Sequence, residues 1–241
     1  MSTLLRLDKL LTELDAGSRS QVKNMISKGR VMVNDIPAKR PEQKIDPDKD
    51  VIRLDHRILN YARYEYYMLN KPAGCVSATQ DNLHQTVVEL ITESTRKDLF
   101  PVGRLDIDTE GLLLITNDGE LAHNLLSPKK HVDKTYYAKV NGKVTKQDAA
   151  KFAAGLDIGE TEPTRPAELE ILLAGNESEV YITITEGKFH QIKRMFEAVD
   201  KEVVYLRRIR MGLLVLDDTL ATGSYRRLTD MELEQLKGQD K

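Results

Sequence analysis

The stretch 103–119, GRLDIDTEGLLLITNDG, sets Asp106, Asp108 and Glu110 within five residues and runs on into the apolar Leu112-Leu113-Leu114-Ile115. A solvated turn accounts for so much charge beside a core strand. So does a cleft in which a carboxylate serves as nucleophile or as base. Asp106 is the candidate for the second purpose. It follows Gly103-Arg104-Leu105, where the glycine lets backbone approach closely. A loop seated on a core strand also keeps its side chains in reproducible directions. Buried alone, this acid would protonate; a nearby cation would keep it charged. Arg104 and the run Lys188-Phe189-His190-Gln191-Ile192-Lys193-Arg194 supply cations. Tyr136, after Lys134-Thr135, can cover a site with its ring and offer one hydroxyl. Asp108 and Glu110 are expected to be solvated members of the turn.

Other chemistries find little support. Neither GxxxxGK[ST] nor GxGxxG follows a strand candidate, so a nucleotide-cofactor site lacks its motif. His56, His84, His123, His131 and His190 show no metal-ligand spacing, and no metal site is expected. The single cysteine, Cys75, forms no disulfide framework and suits a reducing compartment. No GxSxG elbow is present.

The elements that must hold Asp106 read as α+β. Residues 64–69 form a strand candidate, followed by the turn signal Lys71-Pro72-Ala73-Gly74. A helix is expected over 87–91 and a buried strand over 112–115. Asp118-Gly119 ends that strand and a short helix follows to 126. Strands are expected at 136–140, 169–173, 180–185, 203–206 and 213–216, and a helix at 149–154. Ile192, Met195, Phe196 and Val199 follow a helical period, and Thr229 with Glu232 caps a last helix. Hairpins outnumber helical crossovers, so the sheet should be mixed and largely antiparallel.

Residues 1–60 read as a separate module. Leu4, Leu7, Leu11 and Leu14 recur at helical spacing, Asp15-Ala16-Gly17 breaks the helix, and Ser18 with Gln21 opens a second one. Gly29 is placed to end it. Val22, Met25 and Ile26 form its buried face, leaving Arg19, Ser20, Lys23 and Lys28 outside. Two short strands, 31–33 and 51–54, flank a proline- and charge-rich loop, and 56–63 reads as a linker. A basic second helix suits a phosphate backbone; Arg6 and Lys9 on the first helix join the same candidate RNA surface.

A chain of 241 residues, 40% hydrophobic, is globular and long enough for two domains. Net charge is −2, but residues 1–60 carry 12 Lys+Arg against 9 Asp+Glu, and residues 188–210 carry 7 against 3. Local basic patches decide polyanion binding more than the sum does. The N-terminus lacks the apolar core of a signal peptide and no run is long enough to span a membrane, so a cytoplasmic location is expected.

GRLDIDTEGLLLITNDG closely resembles the signature of the RNA pseudouridine synthases that act on ribosomal RNA. The resemblance extends over nearly the whole chain. RLDKLLTELDAGSRSQVKNMISKGRVMVND resembles the S4-like RNA-binding module of a small-subunit ribosomal protein. YMLNKPAGCVSATQD resembles the family's lysine-proline-x-glycine motif, and HVDKTYYAKV, EGKFHQIKRMF and RIRMGLLVLDDTLATGSYRRLT resemble its later motifs in order. Within the family the small-subunit type is the most similar. The resemblance implies two domains, 1–60 for RNA binding and 61–241 for catalysis. It implies that a uridine in small-subunit (16S) ribosomal RNA, free or within an assembling subunit, is flipped out and isomerised to pseudouridine, without a cofactor and by a monomer. Asp106 is then the essential carboxylate, as nucleophile or base. Tyr136 is the active-site aromatic, and Lys193 the cation paired with Asp106, with Arg194 as its rival. Arg104, Gln191 and Arg194 join the RNA contacts. From the residues alone, a non-enzymatic RNA-binding factor and a carboxylate-based N-glycosidase stay open as well.

Overall fold

A computed structural model describes residues 4–47, 49–59, 61–127 and 130–238. The chain divides into two compact units. The first holds the described residues up to Glu65 together with Glu93–Asp98; the second holds Tyr66–Thr92 and the described residues from Leu99 onward. The sequence places a boundary after Asn60, which lies outside the described residues.

In the first unit, β1 (Leu5–Arg6) leads into α1 (Leu7–Glu13) and α2 (Arg19–Ser27), followed by β2 (Val31–Val33), β3 (Ile36–Pro37), β4 (Lys44–Ile45), β5 (Ile52–Leu54) and β6 (Arg57–Leu59). Leu7, Leu10 and Leu11 of α1 bury against Val22 and Ile26 of α2 and against Val31, Val33 and Ile52. The Ser18–Gln21 capping box is formed. α1 starts later than Leu4, because Leu5 and Arg6 pair with Ile45 and Lys44 instead. Two hairpins were not legible. β2–β3 turns through Asn34-Asp35 and β5–β6 through Asp55-His56, and all four residues have positive φ, the backbone that matches strand twist in two-residue turns. The expected linker 56–63 therefore contains a strand. Residues 93–98 join this unit through Arg96, whose guanidinium donates to Glu13 and Asp98 at 2.9 and 2.7 Å.

The second unit is built on one mixed sheet. Its strands are β7 (Tyr66–Lys71), β8 (Phe100–Pro101), β9 (Glu110–Thr116), β10 (Lys134–Asn141), β11 (Glu168–Leu173), β12 (Glu177–Ile184), β13 (Glu202–Met211), β14 (Leu214–Val215) and β15 (Tyr225–Arg227). The spatial order is β11-β12-β10-β13-β9-β7-β15, with β14 on β13 and β8 on β9. Every described pairing is antiparallel except β13 with β9. Helices α3 (Gly119–Leu126), α4 (Lys146–Ala154), α5 (Gln191–Glu197) and α6 (Asp230–Gly238) complete the unit. Phe152 of α4 and Met195 and Phe196 of α5 share a core with Ala138, Val140, Val180 and Ile182 of the sheet. β7 and most of β9 are buried residue after residue, as strands covered on both faces are. No helix is long and apolar enough to cross a membrane among the described residues.

The expected helix 87–91 is absent. Val76 N donates to Gln85 O and Val87 N to Val76 O at 3.0 Å each, so the backbone that would start a helix pairs with another segment. Arg207 and Arg208 of β13 lie beside Glu110 and Gly111 of β9 in the parallel strand pairing of the sheet. A Cβ on Gly111 would lie 2.2 Å from Arg208 O, and φ there is +98°. Only glycine fits without displacing a strand. Gly111→Ala should therefore lower the stability of the second unit by at least about 2 kcal/mol, read as a reduced urea midpoint; an unchanged midpoint would contradict the close approach.

Candidate active site

Asp106 sits on the loop that enters β9, and the backbone of that loop is tied at several points. Leu105 N donates to Ser77 Oγ at 3.0 Å, and the same hydroxyl donates to Leu105 O at 2.9 Å. Thr109 N donates to Asp106 O, and Gly74 N to Ile107 O. Beneath the loop lies Lys71, the last residue of β7 and fully buried. Its Nζ donates to the carbonyls of Thr109 at 2.9 Å, Pro72 at 3.0 Å, Asp106 at 3.1 Å and Ile107 at 3.3 Å. Burial pulls its pKa below the usual lysine value, against the pull of Cys75 and of the carboxylates of Asp108, Asp106 and Glu110. The sequence places Lys71 in a turn and in the lysine-proline-x-glycine motif without assigning it a role. The available signal was a lysine closing a strand otherwise buried on both faces.

With its backbone fixed, Asp106 turns its carboxylate into an open cleft whose walls include Arg104, Tyr136, Leu206, His190 and Lys193. Lys193 Nζ is 3.8 Å from Asp106 Oδ2, and His190 Nε2 is 3.6 Å from Asp106 Oδ1. The closer partner of Lys193 is Asp108, at 2.6 and 2.7 Å. Burial raises the Asp108 pKa, but the hydrogen bond and charge of Lys193 outweigh it and leave the carboxyl below its usual range. Asp108 is exposed, as expected, and also holds Lys193, whereas Glu110 is half-buried in β9 and accepts from Tyr205 Oη at 2.7 Å. Both partners arrive from distant parts of the chain, which is why the turn alone did not reveal them.

Lys193 and His190 reach the cleft through the start of α5. His190 precedes the helix with φ +48°. Gln191 is buried; its Oε1 accepts from Lys188 N and its Nε2 donates to Glu186 Oε1. It therefore braces the loop ahead of α5. Arg194 points away from Asp106, donating to Glu160 and to the carbonyls of Phe189 and Ile158. Of the two cations weighed from sequence, Lys193 faces the acid. Tyr136, in β10, is buried with its ring on the cleft wall. Arg104 is exposed at the same cleft and carries no ion pair among the described residues. His190 beside Asp106 was not singled out in the sequence, although it lies three residues from Lys193.

In the first unit, Arg6, Lys9, Arg19 and Lys23 line one groove with Asp8, Thr12 and Glu13. Arg6 is paired to Asp8 at 2.7 Å and Lys9 to Glu13 at 3.7 Å. Arg19, Ser20, Lys23 and Lys28 are exposed, with Ser20 Oγ 3.0 Å from Ser18 Oγ. Among the described residues no cluster of His, Cys, Asp or Glu is arranged to hold a metal ion.

The profile of the RNA pseudouridylate synthase family matches residues 65–198, and that of the S4 domain matches residues 5–52. The chain belongs to the RNA pseudouridylate synthase family. The synthase is 48% identical over 235 residues to the RNA pseudouridine synthase YtzG of Bacillus subtilis, covering 96% of this chain and 98% of that protein. It is 39% identical over 233 residues to ribosomal small subunit pseudouridine synthase A of Haemophilus influenzae, covering 96% and 99%. A crystal structure of a pseudouridylate synthase superposes with a TM-score of 0.68 at 40% identity, covering 96% and 99%. The synthase is accordingly an isomerase that acts on uridine in RNA, with an RNA-binding S4 domain ahead of a largely antiparallel α+β catalytic domain.

Removing the Lys71 ammonium takes the side-chain donor from the carbonyls of Pro72 and Thr109, each a loss of about 1–3 kcal/mol, while those of Asp106 and Ile107 keep Thr109 N and Gly74 N. Lys71→Met should speed amide hydrogen exchange across 103–109 and lower turnover at least about ten-fold. Exchange and turnover like those of the wild type would refute the role of Lys71 as the anchor of this loop.

Proposed function

We propose that this synthase converts a uridine of small-subunit ribosomal RNA to pseudouridine with Asp106 as its essential carboxylate, and without a cofactor. One observation carries the reading: a backbone-locked carboxylate faces Lys193 and His190 in a cleft walled by Tyr136. The bond from N1 of uracil to C1′ breaks, the base turns, C5 bonds to the same carbon and gives up its proton, and N1 takes up a proton. Product and substrate have the same composition, so no oxidant or group donor is needed. The Asp106 carboxylate is the group placed to attack C1′ or to take a proton from C2′. The Tyr136 ring supplies a stacking surface for the uracil and its hydroxyl a group for proton transfer. The substrate named for the Haemophilus relative supports small-subunit ribosomal RNA as the target.

Extrusion of the nucleotide costs roughly a few kcal/mol. Phosphate contacts offset it and bring a strong salt dependence. Arg104 at the cleft and Arg19, Lys23 and Lys28 on the S4 domain are the exposed cations placed to make them. The enzyme acts as a monomer in the cytoplasm in this reading.

The test is incubation with unmodified small-subunit ribosomal RNA, followed by mapping of carbodiimide-dependent reverse-transcription stops. One new stop is expected; free uracil would instead mark an N-glycosidase. Asp106→Asn should lower pseudouridine formation by at least about a thousand-fold with RNA affinity and thermal melting near wild type. Retained turnover in that variant rules out the assigned role. The double substitution Arg19→Ala, Lys23→Ala should weaken RNA binding about ten-fold and reduce the slope of log Kd against log salt by about 1–2; unchanged binding would remove this helix from the interface.

A further inference from the structure

A second cavity adjoins the cleft and shares Arg104, Tyr136 and Lys188 with it. Arg104, Lys134, Arg165, Lys188 and Arg208 line it against one carboxylate, Glu186. The sheet builds its floor. Register sets Arg208 of β13 opposite Tyr136 of β10, and Lys134 lies two residues before Tyr136 and so on the same face. Lys134 is 9% exposed and Arg208 2%. Arg208 Nε donates to Leu112 O at 2.7 Å, but its Nη2 is buried without a hydrogen-bond partner. Lys134 Nζ is hydrogen-bonded only to Val132 O, at 3.1 Å, among the described residues. Glu186 and Asp133 act on Lys134 through their charge alone; Glu186 Oε1 accepts instead from Arg165 N at 2.8 Å and Gln191 Nε2 at 3.0 Å.

Two buried cations on one sheet face, one with an unanswered N–H, are costly unless an anion joins them. Burial first, and the charge of Arg208 next, bring the Lys134 pKa down to about 8. An anion in the cavity would oppose both effects. The shared wall with the cleft selects which anion. A polynucleotide whose uridine enters beside Tyr136 must place its own linkages close by, and guanidinium with ammonium is the donor set that suits phosphate oxygens.

We propose that this cavity seats a backbone phosphate of the RNA next to the target uridine, gripped by Arg208 and Lys134. The seat rests on the uridine-isomerising reading above and adds to it a fixed point on the strand. Phosphate contacts set the register of a nucleic acid, so Lys134 and Arg208 act as positioning residues, placing the ribose relative to Asp106.

The test uses the full chain and a short RNA containing the mapped target uridine, with each nearby linkage replaced in turn by a neutral methylphosphonate. Wild type should lose about ten-fold in affinity at one linkage adjacent to the target. Lys134→Met should bind the native RNA about ten-fold more weakly, lose nothing further at that linkage, and show a salt slope smaller by about one. Lys134→Arg should restore wild-type behaviour. Equal sensitivity of wild type and Lys134→Met at every linkage would overturn the seat, as would native binding by Lys134→Met that matches wild type. Inorganic phosphate bound at Lys134 without any linkage effect would overturn it too. Pseudouridine formation on the native RNA is scored alongside. Its absence from wild type counts against the functional reading, whereas its presence with equal linkage sensitivity counts against the seat alone.

Discussion

The catalytic domain depends on an ammonium group enclosed beneath a loop. Lys71 Nζ, fully buried at the end of β7, meets four backbone carbonyls from 72 and 106–109. Carbonyl groups of a loop ordinarily face water; here they converge on one cation. A charge-assisted hydrogen bond is stronger than a neutral one, and several on one donor group hold the loop backbone in a single shape. Ser77 grips Leu105 from the other side, and Gly111 lets β13 close against β9 just beyond the loop. Asp106 therefore owes its direction to groups that take no part in the reaction.

Electrostatics around that acid are layered. Lys193 binds Asp108 at 2.6 Å and stands 3.8 Å from Asp106, with His190 at 3.6 Å on the other oxygen. Asp108, 62% exposed, takes the short contact, while Asp106 keeps the cations at ion-pair distance. Its oxygens are not closed off by a tight bidentate pair. A carboxylate so placed stays open to a group that enters the cleft. The same β10 and β13 that carry Tyr136 to the wall carry Lys134 and Arg208 behind it. One sheet face thus presents a ring, a guanidinium and an ammonium in a fixed pattern.

Much of this was legible in the sequence where the signal was local. The buried run 112–115, the Ser18–Gln21 and Thr229–Glu232 caps, and the periodic face of Ile192, Met195 and Phe196 each depend on residues a few positions apart. The failures were non-local or conformational. Residues 87–91 look helical, but Val87 N bonds to Val76 O and the segment forms only a turn closed by Ile91 N on Val88 O. Residues 56–63 look like a linker, but positive φ at Asp55 and His56 makes a hairpin. Asp108 is solvated as its turn suggests, but the turn carries no sign of its contact with Lys193, 85 residues away.

The sequence by itself determined that the chain carries an S4-like helical module and an α+β domain with an acid set at the mouth of a buried strand, because hydrophobic period, turn residues and spacing act over one or two turns of chain. It also narrowed the cations for that acid to Arg104 and the run 188–194. Only the tertiary structure decided that Lys193 rather than Arg194 faces Asp106, that Lys71 lies under the loop, and that Arg208 and Lys134 share a floor. Those outcomes depend on strand register and on which charges are left without water. Neither is set by any one stretch of chain; both follow from the packing of β7, β9, β10, β13 and α5 into one domain.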